Sequence, residues 1–153
     1  MRFHLIVVGR AREPLAAAVR EYESRAARYW PLEVHEVREE SARGATPAAV
    51  REREGERLLE RVPPGATTIA CDELGRRFTS AEFAALVKRE QEAARDVAFV
   101  IGGAYGLAPA VKARATQALT LAPWTLPHEL ARLVLAEQLY RAGTILRNEP
   151  YHK

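Results

Sequence analysis

The chain has 153 residues, a formal net charge of +3 and a single cysteine. That length suits one α/β domain with its own core and calls for no second one. The composition leaves no apolar run long enough to cross a bilayer, no intrachain disulfide and no cysteine-rich zinc site, and it fits a reducing, cytoplasmic compartment.

The cations are overwhelmingly arginine, with lysine only at Lys88, Lys112 and Lys153. Arginine suits phosphate and base edges, though a GC-rich genome gives the same bias. Residues 2 to 8, with Phe3, Leu5, Ile6, Val7 and Val8, read as a strand covered on both faces. Gly9-Arg10 interrupts it too early for a signal peptide. Pro14 starts a helix predicted to reach about Tyr29, and Pro31 stops it before a second strand, Leu32 to Val37. Glu39 to Gly44 is polar and turn-like. Pro47 opens another helix in which Arg51, Glu52, Arg53, Glu54, Glu56, Arg57, Glu60 and Arg61 mix signs, the pattern of a solvated face.

After the break Pro63-Pro64-Gly65 a third strand runs from Thr67 to Cys71-Asp72. Thr79 and Glu82 have capping-box spacing for a helix from Ser80 to Ala94. The fourth strand, Val97 to Ile101, runs into Gly102-Gly103-Ala104-Tyr105-Gly106; Pro109 opens a short helix to Arg114, and Leu119 to Leu121 is a fifth strand. Pro123 and Pro127 fix a non-helical loop, and a helix follows from His128 to about Thr144. Strands alternating with helices predict a largely parallel α/β sheet with helices on both faces, with neither internal repeat nor low-complexity linker.

On the last helix Leu130, Leu133 and Val134 make one apolar arc, and Leu135, Leu139 and Ala142 a second, nearly opposite. A helix apolar on two sides needs a second cover, and the economical one is another copy of the chain. Glu137 and Arg141 sit one turn apart in the first arc, where pairing is the structural reading and a polar ligand the functional one. His128 and Arg132 share a side near the loop, as helix-entry residues or as contacts to a ligand. Cys71 reads as buried and structural, and His4 and His35 as structural or exposed. Ligands of such sheets bind beyond the carboxyl ends of the strands, where Cys71 to Gly75, Gly102 to Gly106 and Ala122 to Pro127 converge. G-G-x-x-G is neither a dinucleotide fingerprint nor a Walker motif, so the residues alone indicate a small-molecule site for a nucleoside-like ligand.

The run T-L-P-H-E-L-A-R-L-V-L-A-E-Q-L-Y-R-A, the ending N-E-P-Y-H-K, the stretch F-V-I-G-G-A-Y-G-L and the opening V-V-G together resemble the SPOUT-class family of ribosomal RNA large subunit methyltransferase H over essentially the whole chain. The resemblance implies a single SPOUT domain over residues 1–153 with a deep trefoil knot in its C-terminal part. It implies methyl transfer from S-adenosylmethionine, without metal or membrane, to N3 of a pseudouridine in the 23S rRNA stem-loop that faces the decoding site. The enzyme is then a homodimer acting on the assembled ribosome. Carried over by motif, the donor site comprises Cys71, Gly103, Ala122, Pro123, Trp124, Thr125, Leu126 and Pro127. The family often has leucine or isoleucine where Cys71 stands, which implies backbone and packing contacts there. The candidate catalytic set is His128, Arg132, Glu137, Arg141, Tyr151 and His152, with a tail that reaches across the dimer, Tyr151 stacking on a base and His152 or Lys153 touching phosphate. A knotted methyltransferase acting on tRNA and a non-catalytic ribosome-binding assembly factor are the alternative readings.

Overall fold

In the computed structural model, which describes residues 1–153, the chain's first apolar run becomes β1 (Phe3–Val8), with all six residues buried. Both of its faces are covered because it lies inside a parallel sheet ordered β2-β1-β4-β3-β5. The other strands are β2 (Leu32–Val37), β3 (Thr67–Arg77), β4 (Val97–Ile101) and β5 (Gln117–Thr120). The helices are α1 (Leu15–Ala27), α2 (Pro47–Leu59), α3 (Ser80–Glu92), α4 (Pro109–Arg114) and α5 (His128–Leu146). No helix is long and apolar enough to cross a membrane.

Alternation along each strand sorts the core into two layers. Phe3, Leu5, Val7, Ile69, Phe99 and Ile101 pack with residues of α1, α3 and α5. Ile6, Val8, Ala70, Ala98 and Val100 face Leu58 of α2 and Val111 of α4. Helices therefore lie on both faces, as the alternation of elements predicts.

Local signals fix several boundaries. Thr79 Oγ1 accepts the Glu82 N–H at 3.1 Å while Glu82 Oε2 accepts the Thr79 N–H at 2.7 Å, the reciprocal capping box that starts α3. That helix stops at Glu92, before the predicted Ala94, because Ala94 takes a φ of 53° and the Arg95 N–H closes back onto the Glu90 carbonyl. The same device, with Asn148 at φ 54° and the Glu149 N–H on the Thr144 carbonyl, lets α5 run past the expected Thr144 to Leu146 before ending. The first helix ends at Ala27, short of Tyr29, and Trp30 turns inward so that its indole N–H reaches the Leu139 carbonyl at 2.9 Å.

The third strand departs most from expectation. It continues to Arg77 instead of ending at Cys71-Asp72, because a bulge lets both Cys71 and Arg76 register with Leu119 of β5. Gly75 makes the crossing possible: a Cβ there would fall 2.5 Å from the Leu119 carbonyl carbon. Its polar residues, Asp72, Glu73, Arg76 and Arg77, hide it from an apolar pattern. The fifth strand begins at Gln117 rather than Leu119, paired with Ile69, and ends at Thr120.

On α5, Leu135, Leu139 and Ala142 are at most 1% exposed and belong to the α1/α3/α5 core, whereas Leu130, Leu133 and Val134 stay half-buried. The inner arc thus holds the helix to its own chain. Leu135→Ala is expected to cost about 2–5 kcal/mol in denaturant unfolding, from lost burial plus the cavity left behind; a loss below about 1 kcal/mol would contradict this packing.

Candidate active site

Beyond the carboxyl ends of β4 and β5, beside the middle of β3, lies a cavity of about 660 Å³. Three segments wall it: Cys71 to Glu73 at the bulge of β3, Ile101 to Leu107, and Thr120 to His128 without Pro123, with Ala131 behind. Of the predicted donor-site residues, Cys71, Gly103, Ala122, Trp124, Thr125, Leu126 and Pro127 are on this wall; Pro123 belongs to the same loop but its side chain points off it into solvent.

Short contacts hold the loops in place. Thr125 Oγ1 donates to Glu73 Oε2 at 2.5 Å, and Lys112 Nζ lies 3.1 Å from Asp72 Oδ2. The Gly106 N–H returns to the Gly103 carbonyl at 3.1 Å, with Gly106 at φ 80°, where a side chain would be strained. The wall is apolar at Ile101, Leu107, Leu121 and Leu126 and polar at Asp72, Glu73, Thr120, Thr125 and His128. Trp124, 79% exposed, and Tyr105, 42% exposed, stand at its mouth. Burial pushes the Cys71 thiol up to about 12, so it is a neutral packing group and no nucleophile.

Of the predicted catalytic residues only His128 reaches this wall, with its Nε2 3.7 Å from Glu39 Oε1. Arg132 does not. Its guanidinium is buried against α1, with Nε 2.6 Å from Glu23 Oε1 and Nη1 3.7 Å from Glu36 Oε2. Arginine has no acceptor and these carboxylates occupy its donors, so its placement is that of a structural ion pair.

Glu137, Arg141, Tyr151 and His152 form a second cluster. Glu137 Oε1 receives Arg141 Nε at 3.0 Å, Arg141 Nη2 at 2.6 Å and the Tyr151 hydroxyl at 3.0 Å. Arg141 also donates through Nη1 to His152 Nδ1 at 3.2 Å and lies 4.7 Å from the Tyr151 ring centroid. Since arginine can only donate, His152 Nδ1 is the acceptor and the proton of the neutral ring sits on Nε2. Tyr151 packs on Tyr140 at 4.6 Å, and Tyr140 on Tyr29 at 5.7 Å. The Tyr29 hydroxyl donates to Glu149, which fastens the turn after α5 to α1. Burial, then the bond to Glu137, raises the Tyr151 phenol to about 12, so it stays protonated and donates. From Ala131 on the cavity wall to Arg141 is ten residues of helix, about 15 Å. The cavity and the tail cluster of one chain are therefore separate.

Sequence reasoning missed Glu54. It lies in the charge run read as solvated, yet it is 4% exposed; Oε2 accepts the Glu40 N–H at 3.2 Å and Oε1 has no partner. A Cβ on Gly103 would fall 2.8 Å from that orphan oxygen, so the cavity's glycine and the buried carboxylate require each other's shape. The available signal was Gly55: a Cβ there would meet Ala108 Cβ at 3.0 Å, which marks this side of α2 as a packed face.

Fold and pocket define the class. The sequence model described as Predicted SPOUT methyltransferase matches residues 1–152, and the chain belongs to that family. Over the full length of both chains it is 60% identical to the Ribosomal RNA large subunit methyltransferase H of Gemmatimonas aurantiaca and 51% identical to that of an Anaeromyxobacter species. Among solved structures, a probable methyltransferase from Bordetella pertussis Tohama I shares the fold with a TM-score of 0.57 at 19% identity, over 92% of this chain and 95% of that one. A probable methylase family protein from Haemophilus influenzae Rd KW20 does so at 0.54 and 12%, over 99% of this chain and 70% of that one.

Burial, the largest cause, raises the Glu54 carboxyl above its ordinary value of 4.5, and nearby Glu39 adds to the shift. A raised folded-state value means that stability is complete below the unfolded value and falls as pH rises through the folded one. Glu54→Gln is therefore expected to unfold at a higher temperature than the parent at about pH 8, with the gap closing toward about pH 4. A gap that is constant across this range, in thermal melts, would contradict a buried charge at this position.

Proposed function

We propose that the chain transfers a methyl group from S-adenosylmethionine to N3 of a pseudouridine in 23S rRNA, as a homodimer acting on the assembled ribosome. The observation that carries this reading is the cavity at the strand ends, in a chain 60% identical over its full length to a relative named for large-subunit rRNA methylation. A volume of about 660 Å³ lies in the usual range for small-molecule sites, and apolar walls with exposed loop backbone suit an adenosine moiety. When bound, the donor supplies a methyl group activated by its sulfonium.

The protein's own part is placement. Ile101, Leu121 and Leu126 offer apolar cover for the adenine, and the backbone of Gly102 to Gly106 and Ala122 to Pro127 offers hydrogen-bonding groups to its edge and ribose. Alignment of an activated methyl with a nitrogen needs no covalent enzyme intermediate. N3 gives up its imide proton to solvent, the resulting charge spreads onto the two flanking carbonyl oxygens, and N3 takes the methyl from the sulfonium, which leaves as the neutral thioether S-adenosylhomocysteine. Groups that donate hydrogen bonds to those oxygens stabilise the charge, and Arg141 and His152 Nε2–H are such donors. His128 is the imidazole on the cavity wall itself and takes the substrate-contact role there.

The separation along α5 supports completion of the site by a second copy. The outer arc of Leu130, Leu133 and Val134 is the surface for it, and a two-fold that lays α5 antiparallel on its twin brings the tail cluster of one subunit toward the cavity of the other. The C-terminal trefoil knot belongs to this reading too, supported by the close crossing of Gly75 over Leu119. A domain with a net charge of only +3 recognises the shape of the ribosome rather than a free strand.

Mass spectrometry of rRNA from a strain lacking the gene tests the proposal: one methyl should vanish from one pseudouridine, and an unchanged spectrum would refute it. Labelled donor should transfer to intact ribosomes at least about tenfold faster than to protein-free rRNA, which lacks the docking surface; comparable rates would sink the ribosome as substrate. Removing Tyr151 to Lys153 is expected to lower transfer by about a hundredfold or more while donor affinity by calorimetry changes less than about threefold. Unimpaired transfer by the truncated chain would take the tail out of the mechanism.

A further inference from the structure

At the opposite end of the sheet from the cavity, the parallel register of β1 and β2 sets His4 beside Glu33 and Ile6 beside His35. Residues two apart on a strand share a face, so His4, Glu33 and His35 turn to the same side. Their donor atoms converge. His4 Nδ1 lies 3.2 Å from His35 Nε2, His35 Nε2 lies 3.3 Å from Glu33 Oε1, and His4 Nδ1 lies 3.9 Å from Glu33 Oε2. All three ligand atoms fall within 4.8 Å of one another. Around a tetrahedral zinc ion with bonds of about 2.0–2.2 Å, neighbouring nitrogen and oxygen ligands stand about 3.3–3.6 Å apart. Two of the three separations already match that spacing closely, and a small swing of the carboxylate supplies the third.

The surroundings match as well. His4 Nε2 points to Asp96 Oδ2 at 3.5 Å, and Asp96 Oδ1 is itself held by the Arg2 N–H at 2.8 Å. A carboxylate behind the outer ring nitrogen is the arrangement that fixes a ligand histidine's tautomer and leaves its inner nitrogen free to bind metal. Hydrogen bonding alone leaves a conflict here. With the His4 proton on Nε2 toward Asp96, the one His35 proton can serve His4 Nδ1 or Glu33 but not both, and Glu33 faces a lone pair. A cation at the centre satisfies all three. The His4 and His35 side chains are 6% and 20% exposed and so held in place, while Glu33 at 44% leaves a fourth position on the solvent side. The competitor for Glu33 is Arg2, whose Nη1 lies 3.1 Å from Oε2 but whose side chain is 56% exposed and able to swing away.

We propose that His4, Glu33 and His35 form a binding site for one borderline divalent cation such as Zn²⁺, with Asp96 positioning His4. The site clips the edge strand β2 to β1 and is independent of the methyl-transfer reading, whose residues lie at the other end of the strands.

Calorimetric titration of the chelator-treated, full-length protein with zinc chloride, and with magnesium chloride as the hard-ion comparison, tests this. The expected result is one equivalent of zinc at micromolar affinity or tighter, about a hundredfold or more tighter than magnesium, because two nitrogen ligands favour the softer ion. His35→Asn should abolish the zinc equivalent, Glu33→Gln should weaken it by about tenfold, and the double variant His128→Asn/His152→Asn, which spares the site, should keep it. His4 is buried, so the part-exposed His35 and Glu33 carry the test if His4→Asn does not fold. Absence of saturable zinc binding to the parent chain, or undiminished binding by His35→Asn, would overturn the proposal.

Discussion

The inner face of α5 is the constraint on which the site depends. Leu135 and Leu139, fully buried between α1, α3 and the sheet, fix the rotation and height of a helix of 19 residues. Its first turn closes the cavity with His128 and Ala131, and its last turns carry Arg141 and the turn into Tyr151. The indole of Trp30, donating to the Leu139 carbonyl, ties the same segment to the end of α1. Because one rigid element spans both clusters, the distance between them is set by the 1.5 Å rise of the helix. Packing on one side leaves the outer arc of Leu130, Leu133 and Val134 half-buried and the tail cluster off the cavity wall.

Charge follows the same division. On the cavity wall the carboxylates have partners, Asp72 in Lys112 and Glu73 in the Thr125 hydroxyl, which leaves backbone and apolar surface to meet a ligand. In the tail cluster Glu137 orients Arg141 and Tyr151, and Arg141 in turn sets the tautomer of His152. One element offers a shaped cavity, and the other presents donors of fixed direction. Glu54, buried without a partner for one oxygen, is the exception and lies directly under Gly103. A cost to stability at the edge of a functional loop is a common feature of sites that need a particular backbone approach.

What the sequence disclosed depended on how local the determining physics is. β1 and β4 were legible nearly to the residue because their burial needs only a nearly unbroken apolar run between breakers, β2 was marked by the Pro31 that stops the first helix, and Thr79 with Glu82 announced the start of α3 through a contact three residues long. The continuation of β3 through Asp72 to Arg77 was not, since its only warrant is a bulge against β5, forty residues away. Nor was the burial of Glu54, which mixed charges disguise. The expected convergence holds for Gly102 to Gly106 and most of Ala122 to Pro127, while of Cys71 to Gly75 only Cys71, Asp72 and Glu73 line the cavity, from within β3. Arg132 is a core ion pair and the tail stands apart, because Tyr22, Tyr29 and Tyr151 gather around Tyr140 only once α1 packs on α5.

The central claim is that neither half of α5 completes a catalytic surface within its own chain. Mixing two inactive variants reads this directly: a chain cut before Tyr151, and a full-length chain with Ala122→Trp, a lining residue whose enlargement crowds the pocket. Unfolding and refolding them together in equal amounts should restore about a quarter of the parent methyl-transfer rate, since about half the dimers are mixed and each has one complete site. A mixture as inactive as its components would contradict the account.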